Sequence, residues 1–134
     1  MVRGGRPGWQ SGGVSQIDPR IDALIPAWMY VPDIAEQWGL VVTKVRRMVD
    51  DGTLIAVRRG ENKSLQVPAA FIGPDGPVKG IVGLLNVLRD NKFSDAESLE
   101  WLFTEDPSLP GTPMQAMNEN RGTEVKRRAQ ALLF

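Results

Sequence analysis

Six cationic side chains fall within one short stretch in the first half of this 134-residue chain. Between positions 41 and 63 the sequence has three acidic residues and six basic ones, which are Lys44, Arg46, Arg47, Arg58, Arg59 and Lys63. Lysine and arginine suit contacts to phosphate oxygens, and arginine can also donate two hydrogen bonds to the edge of a guanine. The chemistry that these residues offer is recognition of a nucleic acid.

The acidic residues are concentrated further along the chain. Positions 94 to 106 contain no basic residue and five acidic ones, which are Asp95, Glu97, Glu100, Glu105 and Asp106. The whole chain has 16 basic and 16 acidic residues, and this net charge of zero counts against DNA binding, because DNA-binding domains are usually basic. The uneven distribution, however, favours a phosphate-binding surface in the first half.

Two short helices on either side of Gly39 are predicted to position the first cations. Pro32 suits the first turn of a helix, and Gly39 suits the left-handed position that ends one. The apolar residues between them share a face: Ile34, Ala35 and Trp38. A second helix from about residue 42 to 51 buries Val45, Met48 and Val49. Its outward residues are Thr43, Arg46, Arg47 and Asp50, with Lys44 to the side.

A β-hairpin is predicted directly after the second helix. Alternating stretches at 54–58 and 65–67 are separated by the turn residues Gly60, Glu61 and Asn62. The hairpin cations could contact phosphates or reach into a minor groove. Helix, turn, helix and hairpin in this order predict a winged helix-turn-helix between residues 28 and 72 that binds double-stranded DNA.

The same cations have a second interpretation that needs no ligand. Arg46 and Arg47 suit the solvated face of an ordinary helix, and Arg58 and Arg59 suit an edge strand, where charge prevents aggregation. The hairpin directly after the helix favours DNA contact. We therefore predict groove contacts from Thr43, Lys44, Arg46 and Arg47, and backbone or minor-groove contacts from Arg58, Arg59 and Lys63.

The remaining chain divides into a tail and a helical region. Residues 1–20 are rich in Gly, Ser, Pro and Arg and are predicted to form a disordered tail. A turn cluster at 73–77 precedes a helical subdomain at 78–134, with helices at 81–89, after Ser94, after Thr112 and from Thr123. The predicted fold is mostly α with a small β-hairpin wing, a winged helix-turn-helix followed by a C-terminal helical subdomain.

The composition excludes several classes of function. The chain has no cysteine and no histidine, which excludes disulfides, zinc fingers, thiol nucleophiles and imidazole catalysis. The acidic residues of 94–106 lack a partner base or nucleophile, and no loop has calcium- or phosphate-binding spacing. We predict neither an enzyme nor a metal or cofactor site. Without a bilayer-length apolar run or a signal peptide, a cytoplasmic location away from membranes is expected.

Residues 34–58 resemble the helix-turn-helix of the MerR and excisionase type. The resemblance rests on Ile34–Leu40, on Val45–Met48 and on Asp51–Arg58, which contains the Gly-x-Leu and the short wing of that family. Val41 departs from the family, which usually has Ser or Thr at this helix N-cap.

Residues 28–134 are more similar still to a group of actinobacterial winged-helix DNA-binding proteins. The shared segments are Val57–Arg59, Trp101–Thr104, Asp106–Leu109 and the closing Glu124–Ala131. This resemblance implies a DNA-binding protein that acts as a transcriptional regulator or nucleoid-associated factor. The mycobacterial member of the group is a substrate of a membrane Ser/Thr kinase, so we hypothesise that such a kinase phosphorylates the tail at Ser11 or Ser15. A tail that only aids solubility is the alternative.

The C-terminal half is also similar to the toxin-binding domain of the Xre/MbcA/ParS antitoxins. Trp101-Leu102, Asp106–Gly111 and Thr112-Pro113 carry this similarity. It implies a shared fold and leaves open a second class of function. In that alternative the chain is an antitoxin-like or adaptor module whose C-terminal half binds a protein partner.

Overall fold

The computed structural model describes residues 17–132, which form seven α-helices and three short strands. In chain order these are α1 (Pro19–Asp22), β1 (Trp28–Tyr30), α2 (Val31–Trp38), α3 (Val42–Asp50), β2 (Val57–Arg59), β3 (Ser64–Pro68), α4 (Ile81–Asp90), α5 (Asp95–Leu102), α6 (Pro113–Asn118) and α7 (Gly122–Ala131). The predicted fold class, mostly helical with a small β wing, is confirmed.

Helices α2 and α3 form the predicted helix-turn-helix. Pro32 lies in the first turn of α2, and Gly39 ends that helix with a φ of 70°, a backbone conformation that glycine adopts without strain. Helix α3 begins after Val41, and its apolar stripe faces α2, with Val45 fully buried. The outward polar face of α3 is therefore left to solvent.

The wing consists of β2, β3 and the turn at residues 60–63. Strands β2 and β3 pair antiparallel, with Arg58 opposite Leu65 and Arg59 opposite Ser64. Strand β2 is shorter than the strand predicted at 54–58, because residues 54–56 are buried without pairing. Strand β1 joins the other side of β3 and was not predicted from the sequence. Three residues ending just before α2 are too few to show alternation.

Helix α1 begins inside the segment predicted to be a tail. Asp18 starts this helix, since its carboxylate accepts a hydrogen bond of 2.8 Å from the Arg20 backbone N–H. Ile21 and Ile25 are then buried in the core, and Ile17 packs against it. Residues 17–20 therefore belong to the folded region, because burial of these two isoleucines fixes the chain next to them.

Helices α4, α5 and α6 start where predicted, whereas α7 begins at Gly122 with Arg121 as its N-cap and not at the predicted Thr123. Ser94 and Glu97 form the expected capping box, and Thr112 and Gln115 form another at the start of α6. Helix α4 packs on α5 and α7, and one apolar core continues from the helix-turn-helix into this region. Among the described residues, no helix is long and apolar enough to cross a bilayer.

The helix-turn-helix region, the linker and the C-terminal helices are joined by several contacts, among them an aromatic pair and two hydrogen bonds. The rings of Phe71 and Phe103 stack with centroids 6.2 Å apart. The Trp38 indole N–H donates to the Gly73 carbonyl at 2.8 Å, which fixes the linker to α2. Arg89 of α4 donates from Nη1 to the Gly52 carbonyl just after α3, at 2.6 Å. The C-terminal helices thus brace the end of α3.

Candidate nucleic-acid interface

The outward face of α3 presents the four predicted groove-contacting side chains to solvent. All four are exposed: Thr43, Lys44, Arg46 and Arg47. Their exposure follows from the buried stripe of the same helix, since Val45 is inaccessible and Met48 and Val49 pack partly against the core. Gly52 then turns the chain towards the wing with a φ of 82°.

The wing has two further cations that are exposed to solvent. Arg58 and Lys63 are both exposed, and Arg58 Nη1 donates a hydrogen bond of 3.0 Å to the Lys63 backbone carbonyl. This bond ties the β2 side chain to the turn, where Lys63 has a φ of 51°. The Arg58 guanidinium therefore lies beside the backbone of the turn that carries Lys63.

A cleft of about 840 Å³ lies between α3 and the wing. Arg46 from the helix and Arg58 and Lys63 from the wing line it together, so the fold unites cations that are far apart in sequence. Tyr30, Asp33 and Asp50 also line the cleft. The cations on its two walls favour an anionic ligand, whereas the two carboxylates can only accept hydrogen bonds, for example from the amino group of a cytosine.

Tyr30 is a candidate contact residue that the sequence analysis did not identify. Its side chain is half exposed, although it stands at the end of β1 directly before α2. The sequence signal is an aromatic residue directly before the first helix of a helix-turn-helix. The first helix of this motif crosses the DNA backbone, so a residue at its start is a candidate for contact.

Arg59 has different surroundings from the other predicted contact residues. Its Nε and Nη2 donate to the two carboxylate oxygens of Asp22 at 2.8 and 2.9 Å, and its Nη1 donates to Gln66 Oε1 at 2.9 Å. The guanidinium also lies 4.4 Å from the centre of the Trp28 ring. All three nitrogens of the Arg59 guanidinium thus donate hydrogen bonds within the chain. This arrangement favours a structural role over the predicted phosphate contact.

Three acidic residues of 94–106 have partners within the C-terminal region, and the Glu100 carboxylate lies 3.9 Å from the guanidinium of Arg20 in α1. Asp95 pairs with Arg89 at 3.7 Å, and Glu97 belongs to the capping box. The Ser108 hydroxyl and backbone N–H both donate to Asp106, and these hydrogen bonds lower the pKa of its carboxyl. Asp106 therefore stays ionised in a turn. Within residues 17–132, no cluster of three carboxylates could hold a metal ion.

Comparison with known proteins identifies the family. Residues 16–72 match the model described as DNA-binding protein Rv2175c, wHTH domain, and residues 78–133 match the Rv2175c C-terminal domain of unknown function. The DNA-binding protein Rv2175c of Mycobacterium tuberculosis (strain ATCC 25618 / H37Rv) is 35% identical over 146 residues, covering 98% of this chain and 99% of that protein. The chain belongs to the Rv2175c family.

A solved member of the Rv2175c family has the same fold. The NMR structure of Rv2175c matches with a TM-score of 0.74 and 32% identity, over 90% of this chain and 88% of that one. The predicted resemblance to actinobacterial winged-helix proteins is confirmed. The similarity to the antitoxin domain stays a prediction, as does kinase phosphorylation, because Ser11 and Ser15 lie outside the described residues.

Proposed function

We propose that this chain binds double-stranded DNA, with α3 in the major groove and the wing on the neighbouring backbone. The observation that carries the proposal is the cleft in which Arg46 of α3 lies opposite Arg58 and Lys63 of the wing. An exposed helix beside a basic hairpin has the shape and charge of a reader of duplex DNA. The name of the relative, a DNA-binding protein, supports the same function.

Each cation has its own proposed role. Arg46 and Arg47, near the middle of α3, donate to base edges, and Thr43 and Lys44 contact bases or phosphates beside them. Arg58 and Lys63 contact backbone phosphates or the minor groove. Arg59 is left out of this interface, because its guanidinium is bonded to Asp22 and Gln66.

The net charge of zero limits the affinity that we expect for DNA. With 16 basic and 16 acidic residues, long-range steering towards DNA is weak. Affinity for random duplexes should therefore be at best about micromolar at physiological salt. A preference for particular sequences then decides the biological role, as a transcriptional regulator or a nucleoid-associated factor. Either role implies a cytoplasmic location, beside the chromosome.

A salt titration of duplex binding tests the proposal. We expect the logarithm of affinity for a random-sequence duplex to fall linearly with the logarithm of salt concentration. Arg47→Ala should weaken the best site by about 1–3 kcal/mol and relax its sequence preference. Arg127→Ala is the control, because Arg127 is an exposed arginine on α7, outside the helix-turn-helix and the wing. Absence of binding at low salt, or equal effects of the two variants, would contradict the proposal.

A further inference from the structure

The start of α3 exposes an apolar side chain. Val41 is 71% exposed, the highest value among the exposed large apolar side chains of the described residues. Its neighbour Val42 packs against the core, so the chain turns one valine inward and leaves the other in solvent. The residues that follow on the outward side are Thr43 and Lys44, both exposed.

Neither packing nor helix stability explains a valine at this position. Val41 is the N-cap of α3, and no side chain provides a capping hydrogen bond there; the Lys44 N–H reaches only the Val41 carbonyl, at 3.0 Å. Serine, threonine, aspartate or asparagine would cap the helix, whereas valine is among the poorest residues at an N-cap. An exposed valine also gains nothing from burial in the free protein. Its apolar surface is available to a ligand.

We propose that Val41 contacts the C5-methyl group of a thymine in the major groove. This inference rests on the proposed function, because it requires α3 to enter that groove. The first residues of a recognition helix are the ones that meet base edges. Among the groups that base pairs present in the major groove, the thymine methyl is the apolar one, and an aliphatic side chain selects it by burial. Val41 is thus a specificity-determining residue for an A·T pair.

Deoxyuridine, which lacks only the methyl group, provides the test. The probe is the duplex that wild-type protein selects best from a random-sequence pool, together with variants in which each thymine is replaced in turn by deoxyuridine. We expect one replacement to weaken wild-type binding about fourfold, the effect of losing one buried methyl. Val41→Ser should bind both duplexes equally, and its Tm should rise by about 2–4 °C, because serine caps α3.

Leu24→Ser is the matched control, since Leu24 is an exposed apolar residue outside the helix-turn-helix. It should keep the fourfold response to deoxyuridine. The inference is overturned if no replacement affects the wild type, or if selection enriches no thymine-containing sequence, while Arg47→Ala still weakens binding. It is also overturned if Val41→Ser keeps the deoxyuridine response, and a loss of self-association by this variant in sedimentation would then assign the exposed valine to contact between copies of the chain. Loss of all DNA binding by wild type would contradict the proposed function itself.

Discussion

Arg58 and Arg59 are neighbours in the chain, yet their guanidinium groups have opposite surroundings. Arg58 is exposed in the cleft, whereas the Arg59 side chain is 27% exposed and bonded to Asp22, whose side chain is 30% exposed. A bidentate arginine–carboxylate pair in a partly desolvated site is stronger than an exposed pair, and the adjacent Trp28 ring adds a cation–π contact. Arg59 therefore contributes to stability, whereas Arg58 is free for the DNA contact proposed above.

Substituting each arginine separates these two roles. Arg59→Ala should lower the free energy of unfolding by about 2 kcal/mol, because it removes three charge-assisted hydrogen bonds and leaves the Asp22 carboxylate without its partner. Arg58→Ala should change that free energy by less than about 0.5 kcal/mol but lower the salt slope of DNA binding by about one. Urea unfolding and salt titration of both variants measure these effects. A lower salt slope for Arg59→Ala, with unchanged stability, would restore its predicted phosphate contact.

The different surroundings of Arg58 and Arg59 were partly predictable from the sequence. Side chains alternate along a strand, so Arg59 must share a face with Val57, and an apolar Val57 indicates the core side. That reasoning could have removed Arg59 from the predicted interface. Its partner could not be predicted, because Asp22 belongs to a segment with no clear pattern and lies 37 positions away. Exposed cations are predictable from periodicity, whereas long-range pairs depend on the fold.

A glycine in the left-handed conformation caps α2, and another follows the Asp51 cap of α3, but only one of these glycines is crowded. Gly39 has a φ of 70° and no atom within 4 Å of where a Cβ would lie. At Gly52, with a φ of 82°, such a Cβ would lie 2.8 Å from Arg89 Nη1, which donates to the Gly52 carbonyl. The absence of a side chain at Gly52 thus leaves room for the Arg89 guanidinium at the end of α3.

Alanine at these two positions should have unequal effects. Gly39→Ala should lower the free energy of unfolding by about 1 kcal/mol through backbone strain alone. Gly52→Ala should lower it by about 2 kcal/mol, because the same strain is combined with displacement of the Arg89 hydrogen bond. Chemical denaturation of the two variants provides the comparison. Equal losses would show that Arg89 moves aside without cost.

The elements that were predicted well are those with local signals. Helices α2 to α7 begin at prolines, capping boxes or apolar stripes that are visible in the sequence, such as Ser94 with Glu97. Strand β1 was not predicted, and the unpaired stretch 54–56 was wrongly predicted to be part of a strand, since pairing with β3 depends on neighbours that are distant in sequence. Residues 54–56 are apolar like a buried strand because all three are buried, which is a requirement of packing and not of pairing.

The helix-turn-helix region and the C-terminal helices share one core, so they should unfold together. Phe103 is 7% exposed and stacks on Phe71, which belongs to the first region. Phe103→Ala should therefore lower the free energy of unfolding by about 3 kcal/mol for the whole chain. Tryptophan fluorescence and far-UV circular dichroism in urea should report coincident transitions before and after the substitution. Two separate transitions would mean that the regions fold independently.

The bond between Asp22 and Arg59 has a consequence for proteolysis. Cleavage of the chain after Asp22 would remove the carboxylate that holds the Arg59 guanidinium and leave this cation with Gln66 and the Trp28 ring as its remaining partners. Because Arg59 lies on the face of β2 opposite to Arg58, the loss would destabilise the sheet and leave the exposed charges of Arg58 and Lys63 unchanged. Limited digestion would then yield a protein that denatures more easily but keeps its salt slope for duplex DNA.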